Sequence, residues 1–379
     1  MRALERSANL EALRHATHGV DLLGAVAEGA ERDRAELSLT MLAGAAHRAV
    51  HGFASHEAER CFARALVLSE RLGDVPSAVD VRRGLFSCHY ARGELALARA
   101  QGRHVAGIGE QRGDRAARML GQWMLGVMSM WQGDFRGARD ELALAIELYV
   151  PDEHRSKMLA AQIDPGVNAM SHLAWVHWIL GDAEAAVQTA GRAVQAARDL
   201  GQPFALAMAL FFGCVVRGCR GEFEAAQPLL SELSAVTAEH RLSFLGTCAH
   251  VLRGQALIET GACEEGLREL DVALQEFGAQ EAGLGRPWAL AIAASGWQRL
   301  GMREHGLRAI DAAFAAVERH GERHWEAELW RVKGELLAPS PQARACLQHA
   351  IEVAQRQSAR SLEQRASETL ARLHEQGAT

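Results

Sequence analysis

The chain has 379 residues, of which 49% are hydrophobic and 23% are charged, and its formal net charge is −6. This balance excludes an intrinsically disordered chain and allows a large buried core. Only 8 prolines and 2 tyrosines occur beside many alanines and leucines, which favours helices over β-structure.

Three features of the sequence bear on where the protein works. Residues 1–6 are charged and lack the apolar segment of a signal peptide. The longest apolar run, 204–216, has 13 residues, fewer than the ~20 that a membrane-spanning helix needs. The 7 cysteines are an odd number without a CxxC pair, which argues against a disulfide framework. We therefore expect a cytoplasmic protein with no membrane partner.

Glycines that precede alanine- and leucine-rich stretches recur at a nearly constant interval. The main series is Gly93, Gly133, Gly181, Gly221, Gly261 and Gly301, with gaps of 40, 48, 40, 40 and 40 residues. A second series lies between these positions and comprises Gly73, Gly113, Gly201 and Gly321. Two turns in every 40 residues indicate two helices per repeat, which is typical of a helical solenoid.

In chain order, we predict a leading helix at 7–28, about eight helix pairs over 32–357, and a closing helix at 360–376. Glycine at the turns can end a helix in the left-handed conformation. Proline follows the second turn of several pairs and opens the next helix there, at Pro76, Pro203 and Pro287. The predicted fold class is all-α, with residues 1–379 forming one superhelical domain.

The period is broken once, by eight extra residues between Gly133 and Gly181. The inserted stretch and its flank contain His154, Arg155, Lys157 and Asp164, and loops inserted into repeat arrays often carry function. His154 and Asp164 with the nearby His172 are weak candidates for acid–base catalysis. A structural role is the alternative, in which Asp164 caps the helix that the next residue, a proline, begins.

Four segments resemble the tetratricopeptide (TPR)-like region of bacterial multidomain regulators. They are 5–9 (ERSAN), 154–167, 321–337 (GERHWEAELWRVKGELL) and 361–373 (SLEQRASETLARL). In that family, an adenylate-cyclase-like or LuxR-type DNA-binding module is joined to a signal-transduction ATPase, and the TPR-like region follows. The resemblance implies a right-handed α-solenoid of TPR-like helix pairs and an interaction role. This sequence contains no P-loop, because neither of its two lysines follows a glycine.

Six of the eight tryptophans lie on the predicted first helices of pairs, which commonly line the concave face of a solenoid. Residues at repeat positions on that face are predicted to bind a ligand, together with Arg155 of the insertion. They are Met124, Asn168, His172, Trp175 and Phe212. The alternative is that these residues form the core, since large aromatic rings are mostly buried.

His47 and His51 lie four residues apart on a predicted helix and are weak candidates for a metal site. No carboxylate or cysteine pattern completes such a site, and the motifs HExxH and GxSxG are absent from the sequence, so no cofactor is expected. Residues 82–118 carry eight arginines against three acids, a net charge of +5. The sequence pI of about 6.3 and the lack of interleaved aromatic residues argue against nucleic-acid binding.

We interpret the chain as a non-enzymatic adaptor or sensor that binds a protein or peptide in its concave groove. A small-molecule sensor is the first alternative, with a pocket near the insertion lined by His154, Asn168, His172 and Trp175. An enzyme that uses His154, Asp164 and His172 is the second alternative, so the sequence leaves enzymatic activity open.

Overall fold

The computed structural model describes residues 2–151 and 163–377, with side chains over 9–151 and 163–375. Within these ranges the structure contains helices and no β-strand, which confirms the predicted all-α fold class. No helix in the described part of the chain is long and apolar enough to cross a membrane.

The chain forms two compact units. Unit 1 comprises residues 1–124 with 280–282, and unit 2 comprises 125–279 with 283–379. The prediction of one superhelical domain over 1–379 stays a prediction.

The described residues of unit 1 form five helices and the first part of a sixth. They are α1 (Arg2–Leu22), α2 (Ala30–His51), α3 (His56–Leu72), α4 (Val75–Arg92), α5 (Leu95–Arg112) and α6 (Arg115–Trp131). A short 3₁₀ helix, Leu23–Ala25, follows α1.

The described residues of unit 2 contain the end of α6 and twelve further helices. They are α7 (Phe135–Leu148), α8 (Pro165–Ile179), α9 (Ala183–Leu200), α10 (Pro203–Cys219), α11 (Phe223–His240), α12 (Ser243–Glu259), α13 (Cys263–Ala279), α14 (Arg286–Arg299), α15 (Arg303–His320), α16 (Glu326–Leu337), α17 (Pro341–Gln357) and α18 (Arg360–Gly377).

Short sequence signals set the ends of these helices. Gly93 ends α4 with φ 74° and ψ 21°, a left-handed conformation that glycine adopts without steric cost. The carboxylates of Asp74, Asp134 and Asp182 accept hydrogen bonds from backbone N–H groups three residues later, so each caps the helix that follows. Pro203 occupies the first turn of α10, as the sequence predicted.

In unit 1, glycine lets neighbouring helices pack closely around one aromatic ring. Phe62 of α3 is 5% exposed and contacts Gly44 of α2 and Gly84 of α4. A Cβ atom at either glycine would lie 2.9 Å from the ring of Phe62. The ring therefore fills space that a side chain would otherwise need.

In unit 2, the C-terminal helices contact the first helices of the same unit. The backbone N–H groups of Arg323 and His324 donate to the carbonyl of Trp131, at 2.8 and 3.1 Å. Ser361 Oγ, at the start of α18, donates to the carbonyl of Trp178 at 2.6 Å. These contacts join residues far apart in sequence, so the C-terminal part of unit 2 packs against its N-terminal part.

Candidate functional site

Asp164 holds the N-terminus of α8. One carboxylate oxygen accepts a 2.7 Å hydrogen bond from the N–H of Val167, and the other accepts one from the Tyr149 hydroxyl at 2.7 Å. The residue is 1% exposed. One oxygen therefore caps α8, which is the structural role considered for this residue, and the other is held by Tyr149.

An aromatic cluster fills the interior of unit 2; we define it as Trp131, His172, Trp175, Phe212, His324 and Trp325. The ring of Trp175 lies at the centre, with centroid distances of 5.0 Å to His324, 5.8 Å to Trp325, 5.9 Å to Phe212 and 6.3 Å to Trp131. The ring of His172 packs against that of Phe212, tilted by 47°, with centroids 4.4 Å apart. All six residues are at most 7% exposed, so the aromatic cluster is core in this structure.

The two histidines of the aromatic cluster are neutral because burial removes them from water. Desolvation lowers the pKa of His172 to about 4 and that of His324 to about 3. His172 Nδ1 hydrogen-bonds to the carbonyl of Asn168 at 2.9 Å. Its Nε2 and both ring nitrogens of His324 are buried without a hydrogen-bond partner among the described residues.

Glu322 is a buried acid beside His324. Its nearer carboxylate oxygen lies 3.5 Å from His324 Nδ1, and both oxygens accept from the N–H of Gly285, at 3.1 and 3.2 Å. Burial raises the pKa of Glu322 to about 8, so this carboxyl group is protonated at neutral pH. Glu322 and His324 are therefore both uncharged in the core of unit 2.

Five of the residues predicted to bind a ligand are buried in the structure. Met124 lies in unit 1 and is 0% exposed, and Asn168, His172, Trp175 and Phe212 lie in unit 2 at 1–6% exposure. Ligand contact by these side chains stays a prediction, and it requires that their surroundings open. The predicted residues His154, Arg155 and Lys157 lie outside the described residues.

The two candidate metal ligands lie side by side on α2. The ring centroids of His47 and His51 are 5.5 Å apart. Burial and the neighbouring His51 lower the pKa of His47. In the described ranges, no group of three or more histidine, cysteine or acidic side chains is arranged to hold a metal ion.

The basic stretch of unit 1 is partly neutralised by local ion pairs. The nitrogen–oxygen distances are 2.8 Å for Arg82–Glu70, 3.3 Å for Arg83–Asp80 and 2.6 Å for Arg92–Glu59. All three acids, Glu59, Glu70 and Asp80, precede the stretch in sequence, so the net charge of +5 counted within it overstates the positive charge around these arginines.

An open groove lies between α9 and α11 in unit 2, with α10 as its floor; we call it the α9–α11 groove. It encloses about 220 Å³, and its aliphatic lining consists of Val187, Ala190, Val194, Val216 and Leu229. Gly191 and Gly213 also line it. A Cβ atom added at Gly191 would meet no atom within 4 Å, so the lack of a side chain there leaves the α9–α11 groove open.

Two guanidinium groups, Arg198 and Arg217, lie at the α9–α11 groove, and no acidic residue lines it. Arg198 Nη2 donates to Glu232 at 2.6 Å, and Arg217 Nη1 donates to Glu222 at 3.1 Å. A guanidinium carries five N–H donors, so both arginines keep donors for a further anion.

Sequence reasoning missed the contribution of His324 and Trp325 to the aromatic cluster. Both belong to a five-residue linker, 321–325, between α15 and α16, whereas most other consecutive helices are separated by two or three residues. This longer linker was the available signal. The α9–α11 groove was also missed, although Gly191 interrupts an otherwise alanine-rich helix.

Solved structures resemble this chain over most of its length. A Rap protein complexed with Competence and Sporulation Factor gives a TM-score of 0.51 at 13% identity, covering 98% of this chain and 99% of that chain. NprR in complex with its cognate peptide NprX gives 0.55 at 12% identity, covering 90% and 99%.

A third structure, the APC/C hetero-tetramer Cut9–Hcn1, gives a TM-score of 0.52 at 13% identity, covering 94% of this chain and 66% of that chain. These proteins are TPR-like helical repeat proteins, so this chain has a TPR-like fold. No protein-family model and no curated protein matches the sequence.

Proposed function

We propose that the chain is a regulatory adaptor or sensor that binds a peptide, or a peptide-like segment of a partner protein. The observation that carries this proposal is an open groove on a TPR-like scaffold. The α9–α11 groove is large enough for a side chain and lies between the second helices of two successive pairs. The concave groove was predicted on the first helices of the pairs, and binding there stays a prediction. Paired helices in a solenoid provide an extended surface on which a peptide can lie.

The comparisons support the same role. The Rap structure holds Competence and Sporulation Factor, the NprR structure holds its cognate peptide, and the Cut9 structure is an assembly with Hcn1. Three TPR-like folds with bound partners make a peptide or protein ligand the first candidate for this chain. A place in bacterial signal transduction, as the resemblance of the four segments implies, is part of the proposal.

Selection from a random peptide library tests the proposed function. The full chain is immobilised, and peptides are displayed with either a free N-terminus or a free C-terminus. We expect enriched peptides that bind the chain in solution with a Kd of about 1 μM or tighter, an ordinary strength for a specific complex. Titration calorimetry measures the Kd.

A helical bundle of similar size, without a solenoid, serves as the control for non-specific capture. Peptides that bind this bundle and the chain equally well, or a selection that enriches no sequence in either display format, would contradict the proposed function.

A further inference from the structure

The repeat allows the α9–α11 groove to be compared with equivalent grooves in the same unit. Arg253 and Lys333 are the repeat equivalents of Gly213, because they lie 40 and 120 residues after it, which is one and three repeats. Arg253 contacts the helices on both sides of its own, and Lys333 contacts the helix that precedes its own. The comparison therefore shows what normally occupies this position.

Arg253 fills the position between α11 and α13. Its Nη2 donates to Ser234 Oγ of α11 at 3.0 Å, and its Nη1 lies 3.5 Å from a carboxylate oxygen of Glu269 on α13. Glu269 is the repeat equivalent of Leu229, 40 residues earlier. The cationic side chain thus meets a carboxylate across the groove.

Lys333 occupies the equivalent position on α16 and contacts α15. Its Nζ donates to Asp311 at 3.0 Å and lies 5.5 Å from the ring centroid of Phe314. Asp311 is the repeat equivalent of Gly191, 120 residues earlier. Here too, an acid receives the cation that occupies the groove.

The groove between α13 and α15 has a small residue, Ala293, at the position of Gly213. Trp297, one turn further along α14, packs against His305 of α15, with the rings tilted by 35° and their centroids 5.0 Å apart. Trp297 is the repeat equivalent of Arg217. A large side chain of the protein itself therefore contacts the neighbouring helix in this repeat as well.

The α9–α11 groove differs from these three in both shape and charge. Gly213 supplies no side chain, and glycine and leucine replace the two acids that receive cations elsewhere. The charged groups that line it are Arg198 and Arg217, which keep donors beyond their pairs with Glu232 and Glu222. Arg253 and Lys333, by contrast, are paired with an acid at the equivalent position itself. An aliphatic lining beside two guanidinium groups is complementary to an aliphatic group joined to a carboxylate.

We propose that the α9–α11 groove binds the C-terminal residue of a partner peptide. Its aliphatic side chain packs against Val194 and Val216, and its terminal carboxylate binds Arg198 and Arg217. This inference rests on the proposed peptide-binding function and specifies both the site and the chemistry of the ligand.

The test is a selection with random dodecapeptides displayed through their N-termini, so that every C-terminus is free. The full chain is compared with Gly191→Leu, whose new side chain fills the groove. We expect the wild-type chain to enrich peptides that end in leucine, isoleucine or valine, and Gly191→Leu to lose this enrichment. Leucine is a better helix former than glycine and meets no atom at this Cβ position, so the variant should melt no lower than the wild type.

Gly107→Leu is the matched control for the filled groove. Gly107 is also helical, in α5, and a Cβ atom there also meets nothing within 4 Å. We expect this variant to keep the wild-type enrichment.

The carboxylate is tested with the most enriched peptide, synthesised as the free acid and as the C-terminal amide. We expect amidation and Arg217→Gln each to weaken binding by about 10-fold or more, because both remove a charge-assisted hydrogen bond. Arg220→Gln is the control, since Arg220 pairs with the same Glu222 but does not line the groove. It should bind the free acid as the wild type does.

Enriched peptides without a preferred C-terminal residue, or with equal affinity for Gly191→Leu, would overturn this inference and leave the proposed function in place. A dimer of the wild-type chain that Gly191→Leu abolishes in sedimentation would also overturn it, by assigning the groove to a second copy. Failure to enrich any peptide with a free C-terminus, while display with a free N-terminus enriches peptides, would overturn this inference alone. Failure in both display formats would overturn the proposed function as well.

Discussion

Replacing Trp175 with alanine is expected to lower the free energy of unfolding by about 3–5 kcal/mol. The indole is 2% exposed and contacts Trp131, Phe212, His324 and Trp325. These partners come from α6, α10 and the linker before α16, so alanine leaves a cavity where distant parts of unit 2 meet. Urea unfolding followed by circular dichroism measures the loss.

Trp175→Phe and Trp297→Ala separate this effect from the general cost of removing an aromatic ring. The phenylalanine variant keeps most ring contacts and should recover most of the stability. Trp297 is only partly buried, so its alanine variant should lose clearly less than Trp175→Ala. Equal losses at Trp175 and Trp297 would contradict a central role for Trp175.

The free energy of unfolding is also expected to fall as the pH drops from 6.5 to 4.5. Three buried groups, His172, His324 and Glu322, together cause a loss of about 1.4 kcal/mol per pH unit. The pKa of His172 and that of His324 are lowered from 6.5 to about 4 and 3. Each histidine therefore takes up a proton only on unfolding, and stability present above pH 6.5 is lost as the pH falls.

Glu322 acts in the opposite direction. Its pKa is raised from 4.5 to about 8, so it binds its proton in the folded state and releases it on unfolding. Its contribution to stability is present below pH 4.5 and is lost as the pH rises through 8. Within the window from 4.5 to 6.5, it offsets one of the two histidines.

The variant His324→Phe tests the opposing effects of the histidines and Glu322. It removes the one proton that His324 takes up on unfolding, and it keeps an aromatic ring in the aromatic cluster. The pH slope of its unfolding free energy should be smaller than that of the wild type by about 1.4 kcal/mol per pH unit. His104→Gln, at an exposed position, is the control and should keep the wild-type slope. An unchanged slope in His324→Phe would show that His324 is not held neutral by burial.

The helical architecture could be predicted from the sequence because it depends on local signals. The 40-residue glycine period marks the turns, and Gly93 and Gly321 adopt the left-handed conformation expected there. Pro203 and Asp164 lie in the first turn and at the cap of their helices, as local chemistry requires. Each of these signals acts within a few residues and needs no knowledge of tertiary contacts.

The aromatic cluster and the α9–α11 groove could not be predicted in the same way. The cluster depends on contacts such as that between Trp131 and His324, which are 193 residues apart and meet only because unit 2 closes. The groove depends on an absent side chain at Gly213, whose meaning appears only when Arg253 and Lys333 are seen to fill equivalent positions. Repeat register identifies equivalent positions but does not show which of them are filled.

Hydrogen–deuterium exchange of the full chain, with and without a selected peptide, tests the central claim that the chain recognises a peptide on the helices of unit 2. The claim predicts slower exchange in α9 and α11, the two helices that border the α9–α11 groove, and little change in α8. Protection confined to α8 would instead place the ligand at the predicted residues of the aromatic cluster. No change in exchange anywhere in unit 2 would contradict the claim.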